Sequence, residues 1–330
     1  MFTGRPQLSQ LLQEVRGYTR HTFAESTKAS YRTHLRTYIR FCINFHVNPV
    51  PIAQNELLAY VAFLARTLKP SSIGNYLNAV RLIHLEAGLD NPLENNFSLN
   101  NLKRGIARKL GTSPEQKLPI TCKILQDIST FLNPFSSSDI AFWAACVIGF
   151  FGFLRKSTLL PKTISNPGND CLLRSDVVMI DVNNIDVYVR KTKTIQFGQR
   201  VLRLPFVAKT GCILCPVSAI TKLFIVSSKK SSDPLFSYRK GKKVSWWTHS
   251  TFVERLRFLL KKAGYNPCSY SGHSFRRGGA SLAFELGLSL TQVKQRGDWA
   301  SSAVENYIFV SPRVIKEVAS VMINGVPKML

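Results

Sequence analysis

The chain has 330 residues, of which 45% are hydrophobic and 19% charged, so its composition excludes a wholly disordered protein and allows two domains of ordinary size. Its formal net charge of +25 predicts a polyanionic partner, with nucleic acid favoured over an acidic membrane surface, because so much like charge repels itself in a compact fold. Seven scattered cysteines, an odd number, argue against a disulfide-bonded scaffold and favour a reducing compartment.

The first 110 residues are predicted to be mostly helical. Ser26 can cap the first helix, and hydrophobic spacing places three more at Asn55 to Leu68, Ser72 to Ala87 and about 99–110. The first helix also carries a cation at every fourth position, which indicates either a solvated face or a contact with a DNA backbone. These cations are Lys28, Arg32, Arg36 and Arg40.

A polar segment with two prolines, Gly111 to Pro119, separates these helices from the rest of the chain. We therefore predict a helical domain over residues 1–112, a linker over 113–119 and a second domain over 120–330.

The second domain is predicted to combine helices with one small sheet. Helices are expected near 121–132 and 138–153, and the second of these contains the longest apolar run, Ile140 to Leu154, directly before Arg155. That run is too short to cross a bilayer and indicates a buried core helix. Alternating apolar residues then predict three antiparallel strands at about 177–182, 185–189 and 200–204. Further helices are expected at about 216–227, 249–262, 274–286, 290–296, 302–309 and 312–322. The predicted fold class is mainly α with a small antiparallel β-sheet.

Two of the cysteines, Cys212 and Cys215, form a C-x-x-C motif. The motif could be half of a zinc site or a redox pair, but no second pair and no nearby histidine supplies further ligands. We favour the simpler interpretation, in which two small residues precede a helix that begins at Pro216.

The segment Gly272 to Gly279 contains the most informative local motif. His273 and Arg276 lie three residues apart at the start of a predicted helix, so both side chains project from one face. An arginine offers parallel donors to two phosphate oxygens, a histidine can donate or accept a proton, and the helix N-terminus adds positive potential. Alone, H-x-x-R is a common pair, and its meaning depends on what surrounds it.

Other reactive residues occur around this motif in a fixed order. Arg155 follows the apolar helix, a Lys-Thr-Lys sequence follows the second strand, and Gly-Asp-Trp-Ala precedes Tyr307, which lies eight positions after the tryptophan. This order resembles the tyrosine recombinases, or phage-type integrases, in which an Arg after a buried helix, a hairpin Lys, H-x-x-R, a His or Trp and a Tyr form the site. The matching positions are Arg155, Lys193, His273, Arg276, Trp299 and Tyr307, with Lys191 as the alternative lysine.

The resemblance covers the whole second domain and implies that the first is the helical core-binding domain, the two together forming a clamp on double-stranded DNA. Two departures are visible. Thr158 stands where many members carry an acidic residue. Many members also place the tyrosine nine positions after the His or Trp, whereas this chain places it eight positions after Trp299. The shorter spacing is most similar to recombinases of eukaryotic mobile elements, such as the crypton and DIRS-like groups, which implies a nuclear location.

The resemblance also implies a mechanism. Tyr307 would attack the scissile phosphate while Arg155 and Arg276 stabilise its oxygens, giving a 3′-phosphotyrosine bond that preserves the energy of the cut. Lys193 would protonate the departing 5′ oxygen, His273 would assist proton transfer at the phenol, and Trp299 would hold the phosphate through its indole N–H. No metal ion and no ATP would be needed.

Residues 308–330 follow the tyrosine and carry an apolar face formed by Val314, Val318, Val321 and Met322. In this family such a tail often docks into a neighbouring subunit, which implies a homo-tetramer on DNA. Two alternatives stay open at this point. One is a domesticated DNA-binding protein without activity, and the other is a type IB topoisomerase. A basic membrane-surface protein is disfavoured because no amphipathic anchor is present.

Overall fold

The computed structural model describes residues 7–111, 116–165, 167–168, 170–310 and 312–324. The chain divides into two compact units, Met1–Glu115 and Gln116–Leu330. Part of the predicted linker, residues 113–115, and part of the predicted tail, residues 311 and 325–330, lie outside the described residues.

The first unit is helical throughout its described length. Its core is formed by the facing sides of four helices, in which Tyr38, Tyr60 and Val80 are completely buried. A further helix precedes these four and was not predicted, and its large hydrophobic residues are exposed. The helices are α1 (Leu8–Arg20), α2 (Glu25–Phe45), α3 (Gln54–Ala65), α4 (Pro70–Glu86) and α5 (Phe97–Leu110).

The predicted cap of the basic helix is wrong. Helix α2 begins at Glu25 with Ala24 in the capping position, and Ser26 lies inside its first turn. There the carbonyl of Ser26 accepts a hydrogen bond from the Ser30 hydroxyl one turn later. The acidic Glu25 in the first turn favours this earlier start, because its charge complements the positive end of the helix dipole.

The second unit has a helical core and two small antiparallel sheets. Helix α7 lies at its centre, and its residues from Ala144 to Ile148 have no solvent exposure, as the apolar run predicts. The helices are α6 (Cys122–Ser129), α7 (Ser137–Phe151), α8 (Lys156–Leu159), α9 (Pro216–Val226), α10 (His249–Lys262), α11 (Ser274–Glu285), α12 (Leu290–Gly297) and α13 (Pro312–Asn324). Short 3-10 helices cover Arg174–Asp176, Pro267–Ser269 and Ser302–Val304.

The larger sheet contains the three predicted strands, β1 (Val177–Met179), β2 (Asn184–Val189) and β3 (Leu202–Val207), in that spatial order. Val187 at its centre lies opposite Val177 on one side and Leu204 on the other, and all three side chains are buried. A second hairpin, β4 (Ser237–Lys240) with β5 (Lys243–Trp246), was not predicted.

The fold is therefore mainly α with small antiparallel sheets, as the sequence predicts. None of the helices in the described ranges is long and apolar enough to cross a membrane. Cys215 of the C-x-x-C motif is the N-cap of α9, which begins at Pro216 as predicted.

Candidate active site

The site begins where the central helix α7 ends. Phe153, two residues beyond the helix, has a φ of 49°, a left-handed conformation that is unusual for a bulky side chain. This bend directs its carbonyl oxygen toward α11, where Nη1 of Arg276 donates a hydrogen bond to it at 2.5 Å. Arg155 follows two residues later as the N-cap of the short helix α8. The segment from Phe153 to Arg155 therefore positions both predicted arginines, because it contains Arg155 and its Phe153 carbonyl binds Arg276.

Arg276 is 2% exposed and lies against two aromatic rings. Its guanidinium carbon is 3.5 Å from the centre of the Trp299 ring and 5.2 Å from that of Tyr307. The two rings meet edge to face with centroids 5.2 Å apart, and both pack on a small cluster with Phe153 and Val304. The fold thus brings Arg276, Trp299 and Tyr307, which are separated by up to 31 positions in the sequence, into one contact group.

Three nitrogen atoms in this group are buried and have no hydrogen-bond acceptor among the residues that the structure describes. They are Nε and Nη2 of Arg276 and the indole Nε1 of Trp299. An unpaired buried donor costs about 1–3 kcal/mol, more when it is charged, so this arrangement is unfavourable as it stands. An anion that accepted these bonds would remove the penalty.

The same region concentrates positive charge. Burial lowers the pKa of Arg276, and the nearby charge of Arg155 lowers it further, while Tyr307 and Asp298 act in the opposite direction. The pKa of His273 is lowered by desolvation and by the charges of Lys156, Arg155 and Arg276. His273 is therefore neutral near pH 7 and can accept a proton. Repulsion among these cations would be relieved by a phosphate between them.

The two candidate lysines have different contacts. Both lie in the loop that joins β2 to β3, where the hairpin lysine was predicted. Nζ of Lys191 is 2.6 Å from Oδ1 of Asp170, whereas the exposed side chain of Lys193 makes no hydrogen bond or ion pair with any residue in the described ranges. The ion pair of Lys191 is itself exposed to solvent, so the choice of Lys193 stays a prediction.

Tyr307 does not lie on a helix, and the predicted helix over 302–309 is wrong. Only Ser302–Val304 forms a short 3-10 helix. The carbonyl of Tyr307 accepts a 3.4 Å hydrogen bond from Nε of Arg277, and the amide of Phe309 donates a 2.8 Å bond to the hydroxyl of Ser281. Because these backbone groups bond to α11, they are not used for a continuing helix.

Arg277 and Ser281 are thus residues that the motif comparison missed. They lie four positions apart on α11, so they face the same side and contact the tyrosine segment at two points. The guanidinium of Arg277 donates hydrogen bonds to the backbone carbonyls of Tyr307 and Lys117. The signal available in the sequence was a second arginine directly after the arginine of the H-x-x-R motif.

No protein-family model matches the chain, and no curated protein matches it. Solved structures do. The integrase of transposon Tn1549 in complex with transposon right end DNA is similar with a TM-score of 0.62 and 13% identity, over 94% of this chain and 98% of that one. The chain has the tyrosine recombinase fold.

Two more structures share the tyrosine recombinase fold with this chain. XerH site-specific recombinase, in a post-cleavage complex with palindromic difH substrate, has a TM-score of 0.55 and 15% identity over 82% of this chain and 70% of that one. A lambda integrase dimer bound to a COC′ core site has a TM-score of 0.52 and 13% identity over 91% of this chain and 76% of that one. At such identities the likeness establishes the fold alone.

The predicted DNA-binding residues lie together on α2 in the first unit. Arg32, Arg36 and Arg40 are exposed, and none makes a hydrogen bond or ion pair within the described part of the chain. Lys28 is half-buried and donates to Glu25 at 2.6 Å. Three of the four cations are therefore free to contact a polyanion.

Proposed function

We propose that this protein is a site-specific DNA recombinase or integrase that cuts and rejoins double-stranded DNA through a 3′-phosphotyrosine intermediate. One observation carries the proposal. Three buried donors of Arg276 and Trp299 lack acceptors among the described residues, and both side chains lie beside the Tyr307 ring. A phosphodiester offers two nonbridging oxygens of the kind that these donors require.

Each step of the proposed reaction uses a group in this site. The Tyr307 oxygen attacks the scissile phosphorus and forms a phosphotyrosine bond as the bond to the 5′ oxygen breaks. His273, neutral near pH 7, takes the phenolic proton, and Lys193 gives a proton to the departing oxygen. Arg155 and Arg276 compensate the charge that develops on the nonbridging oxygens.

Rejoining reverses these steps. A 5′ hydroxyl attacks the phosphotyrosine, its proton passes to the lysine, and the phenol leaves with a proton from His273. One phosphodiester is consumed and one is formed, so the exchange is balanced without ATP. The groups that act on the phosphate in these steps are cationic or hydrogen-bond-donating side chains of this protein.

We propose further that α2 contacts the DNA backbone through Arg32, Arg36 and Arg40, with Lys28 at its edge. The high net charge and the DNA-bound state of the similar structures support this. Nonspecific phosphate contacts of this kind position the duplex without reading its bases.

We also propose a tetramer assembled through the tail. Helix α13 exposes Ile315, Val321 and Met322, an apolar surface that an isolated subunit leaves in water. The side chain of Val318 lies outside the described residues. The motif spacing supports a role in a eukaryotic mobile element of the crypton or DIRS-like type, and hence a nuclear location.

Covalent capture tests the proposal. The purified protein is mixed with a pool of nicked duplexes of randomised sequence, in which cleavage releases a short strand and cannot be reversed. We expect a protein–DNA band that survives denaturing detergent, that disappears with Tyr307→Phe, and that persists with Tyr238→Phe as a matched control.

Each remaining outcome identifies an alternative. Tight DNA binding with no covalent band would indicate a DNA-binding protein without activity. A covalent band together with plasmid relaxation, but with no recombinant product from the selected sequences, would indicate a topoisomerase. A band that persists in Tyr307→Phe would refute the assigned nucleophile.

A further inference from the structure

A buried carboxylate lies beside the site and has no part in the proposed reaction. Asp298 ends helix α12 in a left-handed conformation, with φ 55° and ψ 51°, and it directly precedes Trp299. Its side chain is 3% exposed. Aspartate tolerates this backbone conformation better than most residues, but so do glycine and asparagine, so the conformation alone does not require a charge here.

Within the described residues, the hydrogen-bond donors to the Asp298 carboxylate all lie in the loop between β2 and β3. Thr192 donates a hydrogen bond to Oδ2 at 2.6 Å, Thr194 donates to the same oxygen, and Arg200 donates to Oδ1 from the other end of the loop. The two threonines are the immediate neighbours of Lys193 on either side. The carboxylate therefore holds the loop at the residues that flank the lysine.

The loop is ordered around these bonds. The Thr192 hydroxyl also accepts from the amides of Thr194 and Ile195, both at 3.1 Å, and Ile195 is completely buried beneath the loop. The side chain of Lys193 remains exposed above this anchored turn. Burial alone would raise the pKa of Asp298, but the bonds from Thr192, Thr194 and Arg200 outweigh it and hold the pKa below its usual value, so the carboxylate is charged.

We propose that Asp298 is a positioning residue that fixes the Lys193 loop to the Trp299 end of the site, so that the lysine ammonium meets the leaving 5′ oxygen. This inference rests on the proposed recombinase function. The residue joins two segments that carry different parts of the reaction, one with the proton donor and the other with the phosphate-binding indole. A displacement of about 1 Å at a reacting group can cost about 100-fold in rate.

A sulfur-substituted substrate isolates this role. If sulfur replaces the bridging 5′ oxygen, the leaving group is a thiolate, which departs without a proton because a thiol is far more acidic than an alcohol. With this substrate, loss of the proton donor should slow cleavage little, while loss of phosphate binding should slow cleavage as much as on the ordinary duplex. We expect Asp298→Asn and Lys193→Ala to slow covalent capture of the ordinary duplex by about 100-fold or more and to approach the wild-type rate on the sulfur duplex.

Two control variants test whether the effect is specific to the proton donor. Arg276→Ala, which removes donors to the nonbridging oxygens, should be slow on both duplexes. Asp181→Asn makes the same change in the neighbouring β1–β2 turn, where Asp181 accepts from the amide of Asn183, and it should leave both rates unchanged.

The failure of this inference differs from that of the proposed function. If sulfur rescues Lys193→Ala but not Asp298→Asn, the recombinase function stands and the positioning role is wrong. If the wild-type protein captures neither duplex, both are wrong. A second measurement needs no activity, since Asp298→Asn should accelerate hydrogen exchange at the amides of Thr194 and Ile195. Unchanged exchange would also overturn the positioning role.

Discussion

At the scale of single residues, His273 is the group whose chemistry depends most on its neighbours. Desolvation and the charges of Lys156, Arg155 and Arg276 lower its pKa, so the neutral, proton-accepting form persists to lower pH than in an isolated histidine, whose pKa is about 6.5. A bound phosphate would bring negative charge close to the ring and move the pKa back up.

The pH dependence of cleavage should therefore differ between free and bound protein. At low DNA concentration the cleavage rate depends on the His273 pKa of the free protein, so the acid limb of the pH–rate profile should lie below about pH 6.5. At saturating DNA this limb should lie at a higher pH. Single-turnover capture rates across pH measure both limbs. Lys156→Met removes one of the cations and should shift the free-protein limb upward, and an acid limb at or above pH 6.5 in the free protein would contradict this electrostatic description.

At the scale of elements, the packing of α11 against the end of α7 determines where Arg276 lies. A Cβ atom at Gly279 would lie 2.1 Å from the carbonyl oxygen of Phe150 and 2.6 Å from the ring of Phe153. The absence of a side chain therefore lets α11 approach the bend whose carbonyl binds Arg276.

Gly279→Ala should destabilise the second unit by about 1–3 kcal/mol, because the added methyl group forces the two helices apart. Denaturant unfolding measures this, and covalent capture should fall with it, because Phe153 moves. Gly105→Ala on α5 is the control, since no atom lies within 4 Å of its Cβ position, and it should stabilise the first unit by about 0.5–1 kcal/mol. Equal, small effects of both substitutions would argue against a close approach of the helices.

The elements also show what the sequence could and could not predict. Periodicity predicted the core helix before Arg155 and the three-stranded sheet, since both bury apolar side chains in regular patterns. It failed at residues 305–309, where tertiary hydrogen bonds from Arg277 and Ser281 replace the helical ones. The β4–β5 hairpin was missed because its Ser237 to Trp246 segment is largely polar and carries no alternation of buried residues.

The sequence selected candidate site residues but not the contacts between them. Order along the chain was enough to select Arg276, Trp299 and Tyr307, which the fold brings together. The link between Asp298 and Thr194 joins residues 104 positions apart, and neither is one of the six matching positions. Only the folded chain shows that the lysine loop and the tryptophan segment share a carboxylate.

At the scale of the whole molecule, the net charge of +25 is the property that would govern the proposed association with DNA. Each phosphate that a cation neutralises releases counterions, so the logarithm of affinity should fall linearly with the logarithm of salt concentration. Replacing Arg32, Arg36 and Arg40 together by Ala should reduce that slope by about 0.9 for each phosphate that is no longer neutralised, with little effect on sequence preference. Fluorescence anisotropy across a salt series measures the slope. Arg66→Ala removes another exposed arginine of the first unit and is the charge control, and an unchanged slope in the triple variant would place the DNA elsewhere.

The proposed reaction depends most on the bond between one tyrosine and DNA. The most direct measurement digests the captured complex with protease and nuclease and identifies, by mass spectrometry, the peptide that retains a nucleotide. We predict a nucleotide 3′-phosphate on Tyr307 within the peptide that spans Glu305 to Phe309. A nucleotide attached to any other residue, or joined through a 5′ phosphate, would contradict the proposed reaction.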